Sequence, residues 1–185
     1  KFVNSFLFLT ITIGEDGHVW KYQNPVAIEF GADSFAKLSA LIGKRRYALV
    51  TYGEPFFDEL IKRLARDAGE PVLVVRDVAP NPDYRLLAEQ TARFAKLSQA
   101  PEVIVALGGG SVIDSAKVFA AANGDFANVR NYLETQKGAE KLSAIPLISV
   151  PTTAGTPTGS VHRGPVRTRD VRFGHQLRRK DPRTC

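Results

Sequence analysis

The residues with chemistry to offer lie in "VIVALGGGSVIDSAK" (103–117), where an apolar run stops on Gly108, Gly109 and Gly110 and continues at once into Ser111, Asp114, Ser115 and Lys117. Three residues without Cβ atoms let main-chain N–H groups come close to a ligand, and a helix starting at Ser111 aims its unpaired amides at the same point. That is a cradle for phosphate, with a pyrophosphate as its natural occupant. The spacing is not G-x-G-x-x-G, because Ile113 stands where the third glycine would be, and the Gly-Lys-Ser/Thr of a P-loop is missing. A plain tight strand-to-helix turn is the competing use of the same residues. Asp114, expected with Ser115 on the first turn of that helix, can accept from ribose hydroxyls or simply favour the helix start. Lys117 can pair with Asp114 or extend toward a phosphate. A second loop, "PTTAGT" (151–156), offers the hydroxyls of Thr152, Thr153 and Thr156.

Positioning these loops requires a sheet. Apolar runs at 46–53, 72–78, 102–107 and 145–153 read as buried strands, and helical patterns separate them. Residues 55–69 place Phe56, Leu60, Leu64 and Ala68 at steps of four, with Pro55 opening the helix and Gly69 ending it. Asp83 in "PNPD" caps a helix over 84–97, Ser111 begins one over 111–122, and 129–134 is a short one. Nearly continuous apolar strands alternating with such helices require a parallel sheet covered on both faces, an α/β, doubly wound architecture. Upstream, residues 1–13 and 18–23 form an N-terminal β-hairpin across the turn "GEDG". A further short strand is expected at 26–31, and a helix capped by Asp33 or Ser34 runs to about Leu41 and ends at Gly43.

Composition limits what the chain can be. With 185 residues and 44% hydrophobic content it can bury a real core. The 1–13 stretch is too short to cross a bilayer, so no membrane partner is expected. The lone Cys185 excludes a disulfide framework and fits a reducing, cytoplasmic setting. The net charge of +6 resides entirely in 157–185, where eight Lys/Arg face two Asp and the apolar periodicity vanishes. Arg163 to Arg183 on their own would suggest nucleic acid, but a solvated irregular tail explains them, so no specific nucleic-acid partner is expected. The expected division is therefore a nucleotide-binding α/β domain over 1–156 and a basic tail over 157–185.

"GGGSVIDSAK" followed some 35 residues later by "PLISVPTTAGT" resembles the iron-containing (group III) alcohol dehydrogenase family, and "VWKYQNPVAIEFG" resembles its phosphonoacetaldehyde-reductase-like members. The likeness covers residues 18–156. It implies a Rossmann-like nucleotide-binding domain, a separate helical domain, and hydride transfer between NAD or NADP and a small alcohol or aldehyde. On that analogy Gly108, Gly109, Gly110 and Ser111 hold the pyrophosphate, Asp114 a ribose or neighbouring atom, and Thr152, Thr153 and Thr156 the two ends of the dinucleotide. After the 46–51 strand, where many members carry an acidic residue against the ribose, this chain reads Thr51-Tyr52-Gly53, which leaves the choice between NAD and NADP open.

The family pattern continues "AGTGSE" into a helical domain whose aspartate and three histidines bind Fe²⁺ or Zn²⁺, whereas this chain runs "AGTPTGSVHRGPV". His18, His162 and His175 have no metal-ligand spacing, so no metal or catalytic residues are assigned here. The break at Pro157 is what a shifted reading frame or a truncation would produce. The resulting expectation is the cofactor-binding half of a metal-dependent dehydrogenase, poorly active by itself and prone to dimerise or self-associate through its open edge strand and uncovered cleft face. The alternative is a nucleotide-binding module without catalysis.

Overall fold

The computed structural model describes residues 9–12, 19–22, 26–143 and 145–153. Strands β1 (Leu9–Thr12) and β2 (Val19–Tyr22) pair antiparallel with Leu9 opposite Tyr22, the expected hairpin. The main sheet contains β3 (Tyr47–Thr51), β4 (Leu73–Val75), β5 (Val103–Gly108) and β6 (Leu147–Pro151), all parallel and in the order β4-β3-β5-β6. From β3 the chain steps to β4 at one edge, then crosses back to β5 on the opposite side of β3. The strand order therefore reverses between β3 and β5, the place where open α/β sheets leave a crevice beyond their carboxyl ends.

Strand alternation divides the apolar residues between two layers. Ala48, Val50, Ile104 and Ala106 face a core shared with α3 (Tyr84–Ala95), α4 (Gly110–Ala122) and α5 (Phe126–Thr135). Tyr47, Leu49, Val103, Val105 and Leu107 face α1 (Leu38–Ile42) and α2 (Phe56–Ala68). Every residue of β3 and β5 is buried, so these two central strands form a rigid base beneath the reversal point. Each fully buried Val, Leu or Ile there contributes on the order of 1.5–3 kcal/mol. The Tyr47 phenol ties the start of β3 to the end of α2 by donating to the Gly69 carbonyl at 2.7 Å, and burial, followed by the Glu70 carboxylate, pushes its pKa up to about 12.

The local punctuation agrees with the sequence at α2, where Pro55 and Gly69 are the capping residues, and at α3, where the Asp83 side chain accepts from the Leu86 amide at 2.8 Å. Three expectations change. Residues 26–31 form no strand, only a single bridge at Ala27, and Ile28 and Phe30 are exposed, with no ladder to another described strand. Asp33 adopts a left-handed conformation and caps nothing through its side chain. A 3-10 turn, Ser34–Lys37, precedes the short α1, with Gly43 at its end as expected. β4 ends at Val75, opposite Val50, and the Asp77 carbonyl beyond it accepts from the Gln90 side chain instead of a strand.

Candidate functional site at the β5–α4 turn

The third apolar strand runs into its helix across a single residue. β5 ends at Gly108, Gly109 is the N-cap, and Gly110 opens α4, one residue before the expected start. The Gly109 carbonyl accepts from the amides of Val112 and Ile113, both at 3.1 Å. The amides of Gly110 and Ser111 precede the first amide that donates to a helix carbonyl, that of Val112, and so have no partner within α4, and no side chain caps this terminus. Nine of the thirteen helix residues are buried against the sheet and the neighbouring helices, and this burial holds the uncapped end in place.

Close packing explains two of the glycines. A Cβ on Gly108 would stand 2.7 Å from Val112 Cγ2 and 3.3 Å from Tyr52 Cε2, so any side chain would drive the turn off the helix. A Cβ on Gly109 would stand 3.3 Å from both Cγ2 and Oγ1 of Thr153 and 3.7 Å from the Tyr52 hydroxyl. The space beside Gly109 is thus kept clear between a threonine at the end of β6 and a tyrosine at the end of β3.

The strands bring these groups together in steps. The Thr51 hydroxyl, fully buried, donates to the Leu107 carbonyl at 2.8 Å, joining β3 to β5 at the last pair of their ladder, Thr51 opposite Leu107. β5 remains paired with β6 one residue further, to Gly108 opposite Pro151, and the Thr152 amide donates to the Gly108 carbonyl at 3.1 Å. The crevice consequently opens on the β3 side of Gly108, with Thr152 and Thr153 exposed on the other.

The third wall is the β4–α3 connection. Asn81, in a left-handed conformation with φ of 51°, donates its amide to the Ser111 hydroxyl at 3.3 Å. The loop is anchored behind by Arg93, whose guanidinium meets both Asp77 oxygens at 2.7 and 2.6 Å, and by Gln90, which donates to the Asp77 carbonyl at 2.8 Å. The Arg93 hydrogen bond holds the Asp77 carboxyl below the usual carboxylate range, against the opposing effect of partial burial.

Of the residues singled out from sequence, Gly108, Gly109, Gly110, Ser111, Thr152 and Thr153 converge on one turn. Asp114 does not sit on the first turn: it is the fifth residue of α4 and pairs with Lys117 at 3.3 Å. Ser115 is fully buried with no hydrogen-bond partner for its hydroxyl, so it faces the core. Both shifts follow from the helix beginning at Gly110. Thr156, His18, His162, His175 and the basic tail lie outside the described residues. Sequence reasoning met Tyr52 only as the residue standing where relatives carry an acid, without giving it a role, and missed Asn81 as part of this site. Tyr52 was visible as the residue directly after a strand, and Asn81 as the turn residue of "PNPD".

A doubly wound parallel sheet with a glycine turn at its reversal point defines a Rossmann-like α/β unit, and comparison with known proteins narrows the class. The model of the iron-containing alcohol dehydrogenases matches residues 25–162, and the chain belongs to that family. It is 33% identical over 140 residues to a 4-hydroxybutyrate dehydrogenase from Cupriavidus necator, covering 73% of this chain and 36% of that protein. It is 32% identical over 143 residues to the NADPH-dependent aldehyde reductase YqhD of Escherichia coli, covering 72% and 35%. The chain thus spans about a third of the length of these relatives. Among solved structures it resembles a sulfoacetaldehyde reductase from Bifidobacterium kashiwanohense in complex with NAD+, with a TM-score of 0.65 at 29% identity over 77% of this chain and 38% of the other.

Proposed function

We propose that this chain is the NAD(P)-binding part of a dehydrogenase that exchanges a hydride between a nicotinamide cofactor and a small alcohol or aldehyde. The observation that carries this reading is the uncapped α4 terminus at the strand-order reversal, with the space beside Gly109 kept clear. The Gly110 and Ser111 amides would hold the diphosphate, aided by the helix dipole and without a charged side chain. Gly108 lets Val112 close the turn, and Asn81 holds Ser111 in place. Thr152 and Thr153, with Thr156 beyond the described residues, would receive the rest of the dinucleotide, and Asp114 would act from the second turn of α4. The nicotinamide supplies the hydride chemistry, while these residues bind and orient it. In the same reading, the nucleotide-binding unit extends to residue 156 and 157–185 is an appendage that nucleotide binding does not need. The protein works in a reducing cytoplasm.

The family's metal does not fit the residues in view: among the described residues no three His, Cys, Asp or Glu side chains are grouped to hold an ion. No chemical step is therefore assigned to a metal here, and these residues by themselves would bind cofactor without turning over an alcohol. No described helix is long and apolar enough to cross a membrane. The exposed Ile28, Phe30 and Phe56 favour self-association, which light scattering across a concentration series would detect as a rising mass.

Titrating NADH and NADPH against the purified chain, followed by an aldehyde-reduction assay with Fe²⁺ or Zn²⁺ added, tests the proposal. Saturable binding is expected, and deleting 157–185 should leave it unchanged. Absence of binding would overturn the nucleotide reading. Metal-dependent turnover would overturn the expectation of inactivity, and binding without turnover is also what a non-catalytic module would show.

A further inference from the structure

We infer that Tyr52 is a diphosphate-binding residue, its phenol O–H donating to a phosphate oxygen of the dinucleotide at the β5–α4 turn. The inference rests on the nucleotide-binding reading above and adds a side chain that lies outside both glycine and threonine loops. Tyr52 follows the last residue of β3 and so stands on the open side of the crevice. Its ring is held from two directions. The Phe57 ring lies 5.8 Å away between centroids, tilted by 57°, and the Gly108 backbone approaches so closely that a Cβ there would touch Cε2. The ring also packs against the cores of both layers, which places it at the end of the sheet between them. Its hydroxyl reaches the cleared space beside Gly109, yet makes no hydrogen bond to any described residue.

A phenol with a fixed ring and an O–H that no described residue accepts is a preorganised donor, because ordering its side chain adds little to the cost of binding. Charge decides what it recognises. A carboxylate at this strand end would accept from ribose hydroxyls and repel phosphate, whereas the neutral phenol donates to an anion without repulsion. Its proximity to Gly109 assigns it to the diphosphate, which NAD and NADP share, and not to the 2′-phosphate that distinguishes them.

Tyr52→Phe in the full chain tests this, since the ring and its packing on Phe57 and Gly108 are retained. Competition against NADH would be measured with ADP and with adenosine, and direct titration with NADH and NADPH. Tyr52→Phe should weaken NADH, NADPH and ADP alike by about tenfold, the cost of losing a hydrogen bond to a charged group, and leave adenosine unchanged. Unchanged ADP affinity would overturn the inference. So would a loss confined to NADPH, which would move the hydroxyl to the 2′-phosphate. A wild-type chain that binds none of these ligands would sink the nucleotide reading itself, a result distinguishable from failure of Tyr52 alone.

Discussion

Two helices start on the carboxyl side of the same sheet, and their N-caps have nearly the same backbone: Asp83 before α3 has φ −85° and ψ 169°, Gly109 before α4 has φ −84° and ψ −167°. At α3 the Asp83 carboxylate accepts from the Leu86 amide and the helix end is satisfied from within the chain. At α4 the same backbone carries no side chain, and the first amides are left for something else. Glycine at 109 is therefore not demanded by its dihedral angles, which any residue can adopt. It keeps the amides unclaimed and the space between Thr153 and Tyr52 clear. α3 shows what a helix terminus built for stability looks like, and α4 one held by the packing behind it.

The largest expected effect comes from making α4 resemble α3. Gly109→Asp supplies a capping carboxylate at a backbone already suited to it, and should lower NADH affinity by about a hundredfold through occupation and like-charge repulsion while circular dichroism and the melting temperature hold. Retained binding would mean that these amides are not the anion site. Gly108→Ala attacks the packing instead. With a Cβ 2.7 Å from Val112 Cγ2, urea denaturation should show a loss of about 2 kcal/mol.

Asp83→Ala is the converse experiment. It should cost about 1 kcal/mol of stability, and isothermal titration should find nucleotide affinity unchanged, since the cap serves only α3. The smallest effect belongs to the anchor of the β4–α3 connection. Asp77→Asn should cost about 0.5 kcal/mol at neutral pH, because both Asp77 and Arg93 are more than a third exposed. Since the folded Asp77 pKa is lowered, the stabilisation is present above the ordinary aspartate range and disappears as pH falls through the folded value. Denaturation at pH 7 and pH 3 should show the wild-type advantage shrinking in acid. An advantage that persists at pH 3 would point to a contact other than the Arg93 pair.

Much of this was legible in local sequence. The glycine turn, the Asp83 cap and the Pro55 and Gly69 ends of α2 are decided by interactions spanning a few residues, and the four apolar strands show as unbroken apolar runs although their ladders join distant segments. Residues 26–31 misled because a short apolar run makes a strand only where a neighbour offers a ladder, and among the described residues this segment has one bridge at Ala27. Asp114 was misplaced because the helix start was set at Ser111. With Gly110 as the first helical residue, the carboxylate moves to the second turn and meets Lys117.

The sequence by itself determined that an apolar strand ends at the three glycines and a helix follows within a few residues, because an unbroken apolar run and then a helical apolar period must each be buried, and glycines permit the sharp turn between them. Only the tertiary structure decided that Tyr52, Asn81 and Thr153 would stand around that turn. They come from the end of β3, the β4–α3 connection and the end of β6, and their meeting depends on the order β4-β3-β5-β6, a pairing of distant strands that no local pattern encodes.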